Sequence, residues 1–226
     1  MENRTVVEEE IMVGFDDEAL TVKEQLAGGK KQLHIISIVG MPGLDSRHLV
    51  LPNLEFLRHL QTLKLHNLSL LKSTDLRGVK FPVNIKRLTL KYTGIKWDEM
   101  SILGLLLPNL ELLKLESNAA WELKWETIDG GFHRLKFLKL IRLNLEQWIT
   151  CSSHFPSLQH LSLEMCAYLE EIPSCLGDIF TLQIIEVATC HPYAEESVRK
   201  IKEEQESIGN SWLKVMIDNT LVYGDL

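Results

Sequence analysis

A leucine pattern that recurs six times constrains the fold more than any other feature of this chain. Its apolar positions follow the spacing L-x-x-L-x-L, and successive copies start 25, 25, 25, 23 and 24 residues apart. The copies are Leu60/Leu63/Leu65, Ile85/Leu88/Leu90, Leu110/Leu113/Leu115, Leu135/Leu138/Leu140, Leu158/Leu161/Leu163 and Leu182/Ile185/Val187. Periods of about 20 to 29 residues are typical of leucine-rich repeats. Because one short strand cannot bury its apolar side alone, stacked copies form a curved parallel sheet over a leucine core. The pattern predicts an α/β leucine-rich-repeat solenoid with this sheet on its concave face and an irregular convex side.

The segments between the cores carry two further expectations. Three residues after each core, where the repeats favour an inward-facing Asn or Cys, stand Leu68, Thr93, Asn118, Leu143, Cys166 and Cys190. Four tryptophans also lie between cores, namely Trp97, Trp121, Trp125 and Trp148. We expect the tryptophans to pack on the convex side rather than to form a ligand cage.

The repeat register also predicts the residues that point out of the concave face, because side chains alternate along a strand. The candidates for partner binding are Lys64, Arg87, Lys91, Leu112, Lys114, Phe137, Lys139 and Ile141. The first four strands are basic on this face, whereas Glu164 and Glu186 make the last two acidic. A dipolar groove with Leu112, Phe137 and Ile141 exposed at its middle is the hypothesis for a protein-binding site. An ordinary solvated sheet face is the alternative.

A second motif, upstream of the repeats, begins like a phosphate-binding loop of the form G-x-x-x-x-G-K-[ST]. Gly40 and Gly43 fit its start, but Asp45, Ser46 and Arg47 stand where the second glycine, the lysine and the hydroxyl belong. Asp45 places a carboxylate where a nest of N–H groups should attract an anion. Gly40 and Gly43 are thus candidates only for a degenerate ADP or ATP site, and we expect no ATPase activity. Repair by Ser46 one place early, or by Arg47 as a substitute cation, is the alternative.

Two separated parts of the chain carry a family resemblance. Residues 13–19 (VGFDDEA) and 33–44 (LHIISIVGMPGL), and then the repeats with residues 195–210 (EESVRKIKEEQESIGN), resemble plant intracellular nucleotide-binding leucine-rich-repeat disease resistance proteins. The nearest resemblance is to the coiled-coil late-blight resistance-like members of the nightshade family. That family continues as GMPGLGKTT through a complete ATPase module, whereas this chain passes from Leu44 to Leu49 directly into repeats.

The resemblance implies a defence role without a working nucleotide switch, as a deletion or an aberrant splice would produce. The implied protein is a non-enzymatic recognition or regulatory fragment that binds an effector, a host target or its parent receptor. A residual ADP/ATP-binding switch and an inactive gene remnant are the alternatives.

The domain prediction divides the chain into three parts. Residues 1–48 are a remnant of the start of a nucleotide-binding domain, residues 49–190 are about six leucine-rich repeats, and residues 191–226 are a C-terminal cap. The remnant strand carries Leu33, Ile36 and Ile38 at the core spacing, so we expect it to join the repeat sheet at its N-terminal edge, with residues 17–27 as a helix alongside. In the cap we expect a helix over residues 194–207 and a strand over residues 212–217. An amphipathic helix for a partner is the alternative to capping.

Composition excludes several classes of function. The net charge of −7 resides in the two ends, and no basic block marks a nucleic-acid surface. The acidic N-terminus lacks a signal-peptide pattern, and four cysteines fit a reduced cytoplasmic protein without membrane insertion. Cys151, His154 and His160 have a metal-like C-x₂-H-x₅-H spacing but lack a fourth ligand, so we expect no metal. The adjacent Cys190 and His191 are not expected to form a nucleophile pair, so no catalytic residue is predicted.

Overall fold

The computed structural model describes the backbone of residues 10–13, 35–40, 48–50, 54–67, 73–76 and 79–218, and the side chains of 54–67, 76 and 79–218. Numbered along the chain, the described strands are β1 (Glu10–Val13), β2 (Ile35–Gly40), β3 (His48–Val50), β4 (Thr62–Asn67), β5 (Ser73–Asp75), β6 (Arg87–Lys91), β7 (Leu112–Glu116), β8 (Lys124–Glu126), β9 (Phe137–Ile141), β10 (Gln147–Ile149), β11 (His160–Glu164), β12 (Ile184–Ala188) and β13 (Lys214–Asp218). The described helices are α1 (Trp97–Leu106), α2 (Pro192–Ser207) and two short 3-10 helices, Ser152–His154 and Ser174–Asp178.

Among the described residues, nine strands form one parallel sheet in the order β1-β2-β4-β6-β7-β9-β11-β12-β13. Chain order is therefore spatial order, so each strand is followed by a return segment and then by its neighbour. Two small parallel pairs, β3 with β5 and β8 with β10, lie in the return segments. The architecture is α/β with a parallel sheet and few helices.

The predicted register of the six leucine-rich cores is confirmed. Leu63, Leu88, Leu113, Leu138, Leu161 and Ile185 are direct neighbours across successive strands. The inward residues are only 0–3% exposed; they are Leu63, Leu65, Leu88, Leu90, Leu113, Leu115, Leu138, Leu140, Leu161, Leu163, Ile185 and Val187. Burial of a leucine side chain contributes about 1.5–3 kcal/mol, so these twelve side chains are the main source of cohesion between turns.

The prediction that the upstream strand joins the sheet is also confirmed. β2 pairs in parallel with β4, and this register sets Ile36 opposite Leu63 and Ile38 opposite Leu65. β1 adds a further strand beyond β2, which the sequence did not predict because residues 10–13 lack the leucine spacing. The helix expected over residues 17–27 lies outside the described residues.

In the large sheet, each strand from β6 to β12 is followed directly by a residue with left-handed backbone. These residues are Tyr92, Ser117, Arg142, Met165 and Thr189, with φ between 44° and 54°. The next residue usually turns inward, so Thr93, Leu143 and Cys166 are buried as expected, and Cys190 is half-buried.

The prediction for Asn118 is wrong. Asn118 is exposed and also left-handed, with φ of 55°, so the turn after β7 contains one extra residue. Ala119 takes the buried position instead, and its carbonyl accepts a 2.9 Å hydrogen bond from Thr93 Oγ1 in the preceding turn. Leu68 lies outside the described residues.

Three tryptophans from consecutive return segments form a stack inside the molecule. Trp125 lies between Trp97 and Trp148, with ring-centroid distances of 4.6 and 5.4 Å, and all three are buried. Phe155 meets the edge of Trp125 at 6.2 Å. The expectation of packed tryptophans is therefore confirmed for these three, but Trp121 is 55% exposed.

The C-terminal part continues the same architecture. The side chain of His191 accepts a 3.2 Å hydrogen bond from the Tyr193 N–H and so caps α2. Val198 and Ile201 are buried on one side of this helix, as predicted, and β13 then pairs with β12. In the described part of the chain, no helix is long and apolar enough to span a bilayer.

The tryptophan stack makes a testable stability prediction. Replacement of Trp125 by Ala removes the middle ring and leaves a cavity, so we expect a loss of about 3–5 kcal/mol in the free energy of unfolding. Urea denaturation followed by circular dichroism measures the change. Trp121→Ala is the matched control and should cost less than about 1 kcal/mol, because that side chain is exposed. Equal losses for the two variants would contradict the stack as a cohesive element.

Candidate functional site

The candidate site is the exposed face of the large sheet, formed by every second residue of its strands. Its first column is Thr62, Arg87, Leu112, Phe137, His160 and Ile184; its second is Lys64, Thr89, Lys114, Lys139, Ser162 and Glu186; its third is His66, Lys91, Glu116, Ile141, Glu164 and Ala188. All eight predicted partner-binding residues belong to this face, on the consecutive strands β4, β6, β7 and β9. Parallel pairing without gaps therefore brings together residues that are up to 77 positions apart in the sequence.

Glu116 is the electrostatic centre of this face. Its two carboxylate oxygens lie 2.6 Å from Lys91 Nζ and 2.8 Å from Lys114 Nζ, and its side chain is only 17% exposed. Burial opposes ionisation, but the hydrogen bonds and charges of Lys114 and Lys91 outweigh it and lower the pKa of Glu116 from 4.5 to about 2. One carboxylate thus pairs with two of the predicted basic residues, and the group of three keeps a net charge of about +1.

The remaining charges of the middle strands pair in the same manner. Lys139 Nζ lies 3.2 Å from Glu164 Oε2 in the next strand, and His160 Nε2 lies 3.1 Å from Glu186 Oε2. Beside the first column, Lys136 donates a 3.1 Å hydrogen bond to Glu111, and this bond is the main reason that the pKa of Glu111 is lowered.

Neighbouring strands are only about 4.8 Å apart, so a lysine on one strand reaches a glutamate on the next. Several charges of the predicted dipolar groove are therefore engaged in local pairs. Its basic residues still lie on β4 to β9 and Glu164 and Glu186 on β11 and β12, and the groove as a binding site stays a prediction. Lys64 and Arg87 also lie on the face, and Arg87 is exposed.

The prediction that Ile141 is exposed is also wrong, since only 8% of it is accessible. Ile141 lies between Glu116 and Glu164 in the third column. Both neighbouring glutamates are engaged in ion pairs, Glu116 with Lys114 of its own strand and Glu164 with Lys139 of β9.

Beside these charged residues, the first column contains an apolar and aromatic stretch, which we call the apolar stripe: Leu112, Phe137, His160 and Ile184. Phe137 is 41% exposed, and Leu112 and Ile184 are half-buried. The Phe137 ring is 5.7 Å from that of His160 and tilted against it. An aromatic side chain held by neighbours and surrounded by paired charges has the composition of a protein-interface anchor.

The other candidate residues do not gather into a chemical site. Gly40 is the last residue of β2, and Gly43 lies outside the described residues. His154 Nδ1 is 2.7 Å from Thr127 Oγ1, whereas His160 is on the exposed face beside Glu186, so the two histidines of the metal-like spacing have separate environments. In the ranges with described side chains, no group of three or more His, Cys, Asp or Glu residues could hold a metal ion.

Sequence reasoning placed Glu116 and His160 on the exposed face but left them out of the partner-binding candidates. The column register already set Glu116 beside Lys91, and His160 beside Phe137. Treating residues in one column as contacts, and asking which of them carry opposite charges, would have found the first pair.

The relatives found among known proteins include several that are named as late blight resistance protein homologs of Solanum demissum. No protein-family model matches the chain. It is 35% identical over 160 residues to homolog R1B-16, an alignment that covers 69% of this chain and 12% of that protein. A further homolog of the same species is 33% identical over 176 residues, covering 75% and 13%. Homolog R1B-13 is 40% identical over 113 residues, covering 49% and 10%. The chain thus matches about an eighth of the length of these curated relatives.

The charge network predicts a pH-dependent contribution to stability. Glu116→Gln removes the carboxylate and leaves Lys91 and Lys114 facing each other, so we expect the free energy of unfolding at pH 7 to fall by about 2 kcal/mol. A lowered folded-state pKa stabilises above the unfolded pKa, and this contribution disappears as the pH falls from 4.5 towards about 2. The difference between wild type and variant should therefore shrink over that interval in urea titrations.

The matched control is Glu126→Gln, which breaks the 3.3 Å pair with Lys124 between two largely exposed side chains. We expect it to change stability by less than about 0.5 kcal/mol at any pH. A Glu116→Gln effect as small as this one, or one that does not depend on pH, would refute the central role of Glu116.

Proposed function

We propose that this chain, a homologue of the late blight resistance proteins, is a plant defence protein that acts as a non-enzymatic recognition or regulatory fragment. It is a leucine-rich-repeat solenoid, and the exposed face of the sheet is its concave, partner-binding surface. The observation that carries the proposal is the apolar stripe, with Phe137 accessible at the centre of a rigid parallel sheet. The family relationship supplies the biological setting.

The stripe is suited to a protein partner for two physical reasons. Interface cores are rich in aromatic side chains and poor in unpaired charge, with polar groups at the rim. Here Lys114 and Lys139 already have carboxylate partners, so a protein that covers the stripe need not provide new counter-charges for them. The side chains also need little reordering on binding, which lowers the entropic cost of association.

The partner class that fits this surface is another protein in the plant cytoplasm. A pathogen effector, a host target of such an effector, and the remainder of a full-length resistance protein all belong to this class. Neither nucleic acid nor membrane is part of the proposal, because the acidic charge of the chain lies in its ends and no basic block follows the sheet.

The proposed binding surface is tested by disrupting the stripe. Phe137→Asp places a charge at its centre, and we expect loss of at least about 90% of the protein that the immobilised wild-type chain retains from leaf extract, quantified by mass spectrometry. The second variant, Lys114→Glu with Lys139→Glu, reverses the adjacent charges and should weaken the same interaction. Circular dichroism verifies that both variants are folded.

The matched control is Phe180→Asp, because Phe180 is exposed but lies outside the strands of the exposed face, against Trp212. It should retain the partner at the wild-type level. Undiminished binding by Phe137→Asp, or equal loss in Phe180→Asp, would remove the apolar stripe from consideration.

The proposal includes loss of the ancestral nucleotide switch. Asp45, Ser46 and Arg47 replace the glycine, lysine and hydroxyl that contact phosphate and Mg²⁺, so we expect neither ADP or ATP binding nor ATPase activity. Isothermal titration of the purified chain with Mg²⁺ and ADP should give no binding heat. A dissociation constant in the micromolar range would overturn this part and favour a residual switch.

A further inference from the structure

Two cysteines stand at the same position of consecutive turns. Cys166 follows Glu164 by two residues, Cys190 follows Ala188 by two, and Glu164 and Ala188 are direct partners in the register of β11 and β12. The sulfur atoms are oriented alike, since Cys166 Sγ lies 3.7 Å from Glu164 O and Cys190 Sγ lies 3.5 Å from Ala188 O. Cys166 Sγ also lies 3.6 Å from Leu140 O, so each thiol has a backbone carbonyl as a hydrogen-bond acceptor.

The two turns are also fastened together at this point. The His191 N–H donates a 3.3 Å hydrogen bond to the carbonyl of Cys166. Neighbouring parallel strands are about 4.8 Å apart, and a disulfide needs Cα atoms about 4.4–6.8 Å apart. From this spacing we expect the backbones of the two turns to have the separation that a disulfide requires.

The thiols themselves interact. Interaction with the Cys190 thiol lowers the pKa of Cys166, and interaction with the Cys166 thiol together with burial raises the pKa of Cys190. Cys166 is buried, whereas Cys190 is partly exposed. Solvent therefore reaches this cysteine pair on the Cys190 side.

We propose that hydrogen peroxide oxidises Cys166 and Cys190 to a disulfide that links the turns of β11 and β12. The Cys166 thiolate attacks one oxygen of the peroxide, the O–O bond breaks, and proton uptake by the leaving hydroxide gives water and a sulfenic acid on Cys166. The Cys190 sulfur then attacks the Cys166 sulfur, and the S–O bond breaks. The Cys190 proton leaves with the hydroxyl group as a second water, so two thiols and one peroxide give one disulfide and two waters.

The link would act on the exposed face without touching the apolar stripe. Glu164 of β11 pairs with Lys139, and Glu186 of β12 lies beside His160 of β11. Oxidation therefore fixes the two strands that carry these glutamates. A cross-link that closes the loop between Cys166 and Cys190 restricts the unfolded chain. Oxidation is thus expected to stabilise the C-terminal turns, whether or not a partner is bound.

The chain offers its own control in the other two cysteines, Cys151 and Cys175. They also belong to neighbouring turns, but Cys175 donates a 3.2 Å hydrogen bond to the Thr150 carbonyl, whereas Cys151 Sγ lies 3.2 Å from Ser153 Oγ. These thiols face different acceptors, so we do not expect them to join.

The test treats the purified full chain with hydrogen peroxide and measures its mass. The wild type and a Cys151→Ser, Cys175→Ser variant should each lose about 2 Da, and tryptic mapping should identify a peptide that links Cys166 with Cys190. The Tm of both should rise by about 5 °C on oxidation and return on reduction with dithiothreitol. Cys190→Ser, at the partly exposed position, should keep the fold and show neither change.

Three outcomes would overturn the proposal. They are a Cys151–Cys175 linkage in place of the expected one, a gain of oxygen on Cys166 without a disulfide, and an unchanged mass in the wild type under peroxide that oxidises exposed methionines. Because the Cys151→Ser, Cys175→Ser variant retains both thiols of the proposed pair, its failure to cross-link would be decisive even if Cys190→Ser is unstable.

Discussion

The structure depends on the burial of two inward columns of aliphatic side chains by the strand that follows. A five-residue strand with two inward leucines has no core of its own, so each turn becomes stable only when the next turn covers it. Leu88, Leu113 and Leu138 show the result, since each lies between two neighbours of the same kind and almost none of its surface is exposed. Register, sheet direction and the position of every outward residue follow from this stacking.

The inward leucines determine which side chains become neighbours on the outward face. Because burial of the leucines fixes the strands in register at about 4.8 Å, outward residues of one column become neighbours whatever their character. Lysines and glutamates that meet in this way form ion pairs, as Lys91, Glu116 and Lys114 do. In the first column apolar and aromatic residues meet instead, and they form the apolar stripe around Phe137.

The positions of the sheet residues could be predicted from the sequence because strand alternation and a repeat of 23–25 residues leave only one consistent register. The same reasoning located the β2 strand and all eight candidate residues of the exposed face. It failed at Asn118 because a single extra left-handed residue shifts the turn without changing the leucine spacing. It failed at Ile141 because accessibility depends on where two glutamate side chains rest, and each has a lysine partner on another strand or beside it. Long-range pairing of this kind is a property of the assembled sheet and has no local pattern.

The left-handed residues that close the strands have a consequence for how such a surface changes in evolution. Tyr92, Arg142, Met165 and Thr189 stop their strands at the same level, although this backbone conformation costs non-glycine residues about 1–2 kcal/mol each. A strand of five residues is about 17 Å long, so the face has a fixed width, and it can grow only by gaining turns. Duplication or loss of one repeat therefore lengthens or shortens the exposed face while its width stays constant. New contacts arise by adding or exchanging whole rows, and the leucines beneath them need not change.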